Sequence, residues 1–212
     1  MKKFICLFWV LTSSMAFAQD SVIKEICGVP FGTTYYDTYL YFKNIFQKNP
    51  KTGEQYKLLL YENVSHMGII FPVLCMYFEY EVSYRKENIM GKQISENGDT
   101  IPIESVINIP QYTPLLDRAD FIFPCRTKEE AVLNLMLIKE ALSRKYVLNT
   151  KRGNIYGLSL TEQNDEFFGG NNPKDSNKYG FHLFVIKSAP YFEKDFPFSA
   201  ILQYGPYGYG KE

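Results

Sequence analysis

The sequence predicts an α+β fold in which an antiparallel sheet carries two main helices on one face. Two Thr-x-x-Asp/Glu capping boxes, at Thr34–Asp37 and Thr127–Glu130, each open a segment with apolar residues at helical spacing. Segments rich in Tyr, Phe, Val and Ile follow each helix and are typical of strands. The order helix, strands, helix, strands also allows two repeated helix-plus-hairpin halves, 28–120 and 121–212.

Residues 1–18 have the pattern of a secretory signal peptide. Lys2 and Lys3 precede an apolar run from Phe4 to Leu11, and Ala16-Phe17-Ala18 supplies small residues at −3 and −1 of a cleavage site. The apolar run is too short to span a bilayer. We therefore expect a periplasmic or secreted protein that begins at Gln19 and forms a single α+β domain over 19–212.

The first helix is predicted to begin after Thr34, because its hydroxyl can cap the backbone N–H of Asp37. Apolar residues then recur at helical spacing, and the helix should end before Asn49-Pro50. Tyr and Phe are poor helix formers, so packing must supply most of the stability of this helix.

Strands are predicted over 56–61 and 68–84, with a turn near Asn63 to Gly68. Pro72 should mark an edge, a bulge or a break, because it cannot donate to a strand ladder. From Phe78 to Tyr84 apolar and polar residues alternate, which predicts a strand with one solvated face. The polar residues 86–104 predict a hairpin loop or a mobile excursion.

The second helix is predicted over 128–146, with a stripe of Ala131, Leu135, Ile138 and Leu142. Additional apolar neighbours widen this stripe and predict cover on more than one side. Strands are expected at 121–123, 154–160, 180–187 and 198–204, and a polar loop at 163–179.

The composition argues against several partners. The chain has 23 Lys and Arg against 23 Asp and Glu, and the leader takes two lysines with it, so no basic excess exists to attract nucleic acid. Only His66 and His182 are present, without zinc-ligand spacing, and no nucleotide-binding or hydrolase motif occurs. The sequence therefore predicts no cofactor, no metal site and no membrane span after the leader.

The 17 tyrosines all lie in the mature chain and are the unusual feature of its composition. Tyrosine suits both half-buried sheet faces and binding surfaces. The leading hypothesis is a non-catalytic envelope protein that binds a protein partner through a Tyr-rich open sheet face. The candidate contacts are Tyr77, Tyr84, Tyr204, Tyr207 and Tyr209. Carbohydrate binding by the same rings is the alternative.

Cys27, Cys75 and Cys125 remain after cleavage, and an odd number allows one disulfide and one free thiol. Cys27–Cys125 is the favoured pair, and three reduced thiols are the other option. Glu25-Ile26 precedes Cys27 where a lipoprotein signal needs a small residue, so no lipid anchor is expected. A Cys-dependent hydrolase is a further alternative, with Cys125 beside one of the two histidines.

Ile26-Cys-Gly-Val-Pro-Phe-Gly-Thr-Thr-Tyr-Tyr-Asp37 resembles the opening of a group of uncharacterised small secreted proteins of gut Bacteroidetes. The segment 121–146 and Tyr204-Gly-Pro-Tyr207 are similar to the second helix and closing strand of that group. Phe31-Gly32-Thr33 more distantly resembles a turn of the β-lactamase-inhibitory-protein fold and related outer-membrane assembly lipoproteins. The first resemblance implies an envelope location, and the second implies a sheet that grips another protein.

Overall fold

The computed structural model describes residues 23–47, 49–52, 57–94, 96–154, 163–170, 179–187 and 195–206. The predicted signal peptide lies outside these ranges, so the cleavage site after Ala18 stays a prediction. The described chain contains two helices and a large antiparallel sheet, which confirms the coarse form of the predicted fold class.

The elements follow one another along the chain as strands, a helix, four strands, a second helix and four strands. Their bounds are β1 Glu25–Ile26, β2 Val29–Pro30, α1 Tyr35–Ile45, β3 Lys51–Thr52, β4 Leu58–His66, β5 Ile69–Ile94, β6 Thr100–Cys125, α2 Lys128–Ser143, β7 Asn149–Asn154, β8 Gln163–Gly169, β9 Tyr179–Lys187 and β10 Phe198–Pro206. The main sheet has the order β3-β4-β5-β6-β10-β9-β8-β7, and β1 pairs with β2 separately.

Two apolar clusters cover the sheet where it is widest, a region that we call the body. The larger cluster holds the buried residues Phe42 of α1 and Ala131, Leu135, Ile138 and Leu142 of α2, together with alternate residues of β4, β5, β6, β9 and β10. The smaller cluster holds residues of the opposite parity: Leu58, Val73, Cys75, Ile122, Phe184 and Ile201. Both sheet faces of the body are therefore buried at these positions.

Both predicted helix starts are confirmed. Thr34 Oγ1 accepts a hydrogen bond from the backbone N–H of Asp37, and Thr127 Oγ1 accepts one from Glu130, each at 3.1 Å. In the first box, Thr34 Oγ1 also donates to the Asp37 carboxylate at 2.7 Å. The local sequence thus fixes where each helix begins, because the hydroxyl of the capping threonine accepts a hydrogen bond from a free backbone N–H.

The expected cover of α2 on more than one side is wrong. Leu133, Met136 and Leu137 are exposed, whereas Ala131, Leu135, Ile138 and Leu142 are fully buried. The buried stripe, with the partly buried Val132 beside it, packs on the body, so the helix is covered on one side despite its broad apolar composition. The helix also ends at Ser143, before the predicted 146.

The turn expected over Asn63 to Gly68 is shorter than predicted, since β4 continues to His66. Pro72 does not break β5 either. Phe71 and Val73 pair with Val64 and Glu62, and Asn63 between those two partners adopts a positive φ of 55°. The strand ladder is therefore irregular at Asn63 of β4, next to Pro72. Because Pro72 has no backbone N–H to donate, this irregularity allows the proline to stay within β5.

The largest departure from prediction concerns residues 86–104, most of which lie in strands rather than in a loop. β5 continues to Ile94 and β6 begins at Thr100, and their pairing is continuous from Tyr77↔Arg118 outward apart from one irregularity between Tyr77 and Phe78. The paired residues 80–94 and 100–114 form a two-stranded ribbon that we call the arm. At about 3.4 Å per residue the arm is roughly 50 Å long.

The tail agrees with the sequence only where the strands are strongly apolar. The strands at 180–187 and 198–204 are confirmed by β9 and β10, but residues 163–169 form β8 where a loop was expected. Most of the strand predicted at 154–160 lies outside the described residues. β6 runs without interruption across the proposed boundary between residues 120 and 121.

Candidate functional site

The five candidate tyrosines do not form one surface. Tyr207 and Tyr209 lie outside the described residues. Tyr204 is only 2% exposed and belongs to the larger core cluster, so the prediction that it contacts a partner is wrong. Tyr77 is half-buried, whereas Tyr84 is 67% exposed on the arm.

Tyr204 is buried because its strand is covered on both faces. In β10, Ala200, Leu202 and Tyr204 point to the larger cluster, and the tyrosine ring meets Phe121 and Phe181 edge-on. Ile201, between them, belongs to the smaller cluster. The apolar run Ala200–Leu202 within β10 is typical of a central strand, and that signal is visible in the sequence.

Tyr77 lies at the root of the arm, where it packs against a polar cluster. The Arg118 guanidinium lies 3.9 Å from the centre of the Tyr77 ring, and Arg118 Nε lies 3.5 Å from Asp120 Oδ1. Gln203 Nε2 donates to the same carboxylate oxygen at 2.8 Å. Burial raises the pKa of Asp120, while Arg118, Gln203 and Tyr77 act in the opposite direction. The Tyr77 ring is therefore already in contact with a side chain of the same protein.

The arm presents an aromatic patch on one face next to the body. Tyr80, Val82 and Tyr84 alternate along β5, and Val82 is directly opposite Tyr112 of β6. All four side chains are exposed, with Tyr84 at 67% and Tyr112 at 63%. We call these four residues the tyrosine patch. Tyr80 and Tyr112 were missed as candidate contacts, although the alternation around Val82 is visible in the sequence.

A second apolar patch lies farther along the arm, on residues of the opposite parity. Ile89, Ile107 and Ile109 are exposed. Ile107 and Ile109 pair with Glu87 and Arg85, so they lie on the face opposite the tyrosine patch. Because a two-stranded ribbon twists strongly, faces that are opposite at one point rotate along its length. We call Ile89, Ile107 and Ile109 the isoleucine patch.

Three prolines interrupt the β6 edge of the arm. Pro102, Pro110 and Pro114 pair with Lys92, Tyr84 and Tyr80, which all have the same parity. Their nitrogens therefore face away from β5, at the outer edge, where a strand donor is missing. Prolines on an edge prevent another strand from adding there. Among the described residues no strand pairs with either edge of the arm beyond the Thr34↔Leu115 bridge. The faces of the arm, rather than its β6 edge, are thus the available contact area.

The favoured Cys27–Cys125 disulfide is not formed, because Cys27, Cys75 and Cys125 are all free thiols. Cys125 is buried at the start of α2, where its Sγ contacts the Phe123 carbonyl at 3.2 Å and accepts from Asn134 Nδ2 at 3.4 Å. Cys75 is buried in the smaller cluster.

The arrangement that a Cys125-dependent hydrolase needs is also not present. None of the polar partners described for Cys125 Sγ is a histidine, and the Cys125 side chain is fully buried. His66 Nδ1 instead lies 3.8 Å from Cys27 Sγ, and its Nε2 lies 2.9 Å from the Tyr204 hydroxyl. His182 forms a buried pair with Glu166, with 2.9 Å between Nε2 and Oε2, and its ring stacks on Phe168 and Phe184.

Comparison with known proteins found no matching family model, no matching curated protein and no matching solved structure. The resemblances drawn from short motifs therefore stay predictions. Neither helix within the described ranges is long and apolar enough to cross a membrane. In the same part of the chain, no three His, Cys, Asp or Glu side chains are grouped as a metal ion would require.

Proposed function

We propose that the protein is a non-catalytic binding protein of the cell envelope, and that the arm is the part that contacts its partner. The observation that carries this proposal is the exposure of large apolar side chains on both faces of the arm. Soluble proteins rarely leave contiguous apolar area uncovered unless another molecule binds there. The sequence predicted contact through a Tyr-rich open sheet face, whereas the contact surface proposed here is the two-stranded arm.

The chemistry of the arm favours a protein partner. Tyr and Ile anchors surrounded by polar groups are typical of the centre of protein interfaces. Glu79 and Glu81 lie near the body, whereas Arg85 and Lys86 follow the tyrosine patch, so charges of both signs flank it. Such a pattern can set the orientation of a partner through complementary charge.

We interpret the body as a rigid scaffold for the arm, with both helices as a layer over one sheet face. Support comes from the larger core cluster, which unites the buried residues of α1 and α2 with one set of alternate strand residues. β5 and β6 run from this core directly into the arm, so the arm is anchored by two interior strands of the sheet.

The test compares tyrosines of equal exposure at different places. Tyr84 and Tyr36 are 67% and 64% exposed, but Tyr36 lies on α1 and Tyr84 on the arm. Tagged mature protein carrying Tyr84→Ala or Tyr36→Ala is crosslinked in the native cell envelope, and captured proteins are quantified by mass spectrometry. Truncation of an interface anchor costs about 2 kcal/mol or more, so we expect Tyr84→Ala to reduce capture of a specific protein at least about tenfold.

Equal capture by the two variants would contradict the proposed role of the arm. Amino-terminal sequencing of the exported protein checks the location separately, with Gln19 as the expected first residue. A start at Met1 in the cytoplasm would contradict the envelope assignment.

Carbohydrate binding is the second candidate, because three exposed tyrosines share one face of the arm. Their flat apolar rings could stack on sugar faces. Binding to a glycan array that is lost in Tyr84→Ala and Tyr112→Ala, without specific protein capture, would favour this alternative over a protein partner.

A further inference from the structure

The two edges of the arm differ in their backbone chemistry. Pro102, Pro110 and Pro114 remove three donors from the outer edge of β6. β5 has no proline after Pro72, so its outer edge keeps every donor along the arm. Proteins usually protect exposed strand edges, because an open edge is a template on which another strand can pair. The arm therefore has one blocked edge and one open edge.

The prolines of β6 also show which backbone groups of β5 point outward. Pro110 and Pro114 are directly opposite Tyr84 and Tyr80, and a residue without an N–H cannot exchange both bonds of a hydrogen-bonded pair. These are therefore non-hydrogen-bonded pairs, in which the N–H and C=O groups of each strand point away from the other strand. Because the pairing continues in one register to the end of the arm, the same holds at every second residue of β5 from Tyr80 to Lys92.

These outward groups lie beside the tyrosine patch. Tyr80, Val82 and Tyr84 have outward backbone groups, and their exposed side chains share one face of the arm. None of the described residues outside the arm forms a backbone hydrogen bond with these groups. A strand that pairs with this edge would thus meet a row of free donors and acceptors together with an apolar surface.

We propose that the outer edge of β5 binds an extended segment of the protein partner as an additional antiparallel strand, an inference that rests on the proposed binding function of the arm. The partner residues opposite Tyr80, Val82 and Tyr84 then lie on the tyrosine face, about 5.5 Å away between Cα atoms. Apolar β-branched or aromatic side chains fit there, since such cross-strand pairs are favourable. Lys86 follows on the same face, and an acidic residue opposite it provides charge complementarity.

The partner segment is thus defined by its pattern and its charge. Read from its amino end, it has an acidic residue opposite Lys86 and then apolar residues at the next three alternate positions. In β5 itself no acidic residue is followed by such a pattern, so a second copy of the chain does not match this edge. The added strand would also give a third strand to a ribbon that is only marginally stable as a pair.

The test uses the folded mature protein and the synthetic peptide Ser-Asp-Thr-Val-Thr-Ile-Thr-Val-Ser, which carries this pattern. Amide hydrogen exchange followed by NMR reports the outward N–H groups directly. With millimolar peptide we expect a much larger slowing of exchange at Val82 and Tyr84 than at Ser83 and Arg85, whose N–H groups already bond to β6. Equal slowing at the two pairs of residues, or no slowing, would overturn the proposal.

Two N-methylated forms of the peptide separate backbone pairing from adhesion to the tyrosine rings. Methyl groups on the two valines and the isoleucine remove the donors that face β5, so the affinity should fall at least about tenfold. Methyl groups on the three threonines lie on the far edge of the added strand and should leave the affinity unchanged. Equal affinities of the two methylated forms would show that the side chains alone bind.

Variants of the protein test the same edge from the other side. Val82→Pro removes one outward donor and keeps the β5–β6 ladder, as the native prolines do on β6, and Val82→Ala is the matched control that keeps the donor. Peptide binding should be about fivefold weaker for Val82→Pro than for Val82→Ala. Lys86→Glu should weaken binding about fivefold, and a peptide with Lys in place of Asp should restore it.

Partner capture with these variants separates this inference from the proposed function. Loss of capture in Tyr84→Ala with full capture by Val82→Pro would keep the arm as the contact site and overturn strand addition. Full capture by both variants would contradict the proposed function itself. Dimerisation of the wild type that Val82→Pro abolishes would identify a second copy as the occupant of the edge and overturn the choice of a partner segment.

Discussion

The body and the arm use the same two strands in opposite ways. In the body, β5 and β6 are flanked by β4 and β10, and residues such as Met76, Phe121 and Ile122 are buried on one face or the other. In the arm the same strands have only each other, and their side chains are exposed. Burial stabilises the body, whereas cross-strand pairs alone support the arm, and an isolated two-stranded ribbon is only marginally stable.

The difference indicates that stability and binding are separated in this protein. Apolar residues in the body are needed for folding, and those in the arm can change without unfolding the core. Substitutions on the two sides of the boundary at residue 79 should therefore have very different consequences. The predictions below move from the strongest expected effect to the weakest.

The largest effect is expected from Phe121→Ala in the body. Phe121 is fully buried and contacts the rings of His66, Phe71 and Tyr204. The cavity should lower the free energy of unfolding by about 3–5 kcal/mol. Tyr112→Ala on the same strand but in the arm should change it by less than about 0.5 kcal/mol. Urea unfolding measures both, and similar losses would break the distinction between body and arm.

A pH-dependent loss of stability should also arise in the body. Burial lowers the pKa of His66 from 6.5 to about 4, with Lys145 acting in the same direction. Between these values the unfolded chain binds a proton that the folded chain does not. Stability should therefore be fully present above pH 6.5 and fall by up to about 1.4 kcal/mol per pH unit below it.

The His66→Phe variant isolates this effect, because phenylalanine can keep the stacking on Phe121 and does not titrate. The unfolding free energy of wild type minus that of His66→Phe should increase as the pH rises from 4.5 to 7. A difference that does not vary with pH would show that His66 is protonated equally in the folded and unfolded states.

A smaller effect is expected at the helix caps. Thr127→Ala removes the hydroxyl that accepts from the Glu130 backbone N–H, at a cost of about 1 kcal/mol. Thr127→Ser keeps the hydroxyl and is the matched control. Because the buried side chains of α2 pack in the core of the body, amide hydrogen exchange in the outer arm should be unchanged. Faster exchange there would indicate that α2 also supports the arm.

The smallest effect on stability should come from shortening the arm. Arg85 and Ile109 are directly paired, and an Asn-Gly turn can join two such strands. Replacing residues 86–108 by Asn-Gly keeps the tyrosine patch and removes Ile89 and Ile107. Unfolding free energy should change by less than about 1 kcal/mol, since no buried residue is lost.

Partner capture by this shortened variant distinguishes between the two patches of the arm. Retained capture would assign binding to the tyrosine patch, and lost capture would assign it to the isoleucine patch or to both patches together. A large loss of stability would instead contradict the separation of arm and body.

The sequence alone determined the features that depend on local chemistry. The Thr34 and Thr127 caps follow from hydroxyl groups that satisfy nearby backbone donors, and β9 and β10 follow from apolar β-branched and aromatic runs. The tertiary structure decided which apolar residues became surface. Tyr204 and Tyr84 are the same residue type on similar strands, yet neighbouring strands and helices cover only the first.

The polar segment 86–104 also shows the limit of prediction from local sequence. Its composition predicts a loop, whereas continued pairing of β5 with β6 makes most of it strand. Once the core has set the register, cross-strand hydrogen bonds stabilise an extended backbone whatever the polarity of its side chains. The proximity of Cys27, His66 and Tyr204 likewise joins residues far apart in the chain, since it depends on which strands the sheet brings together.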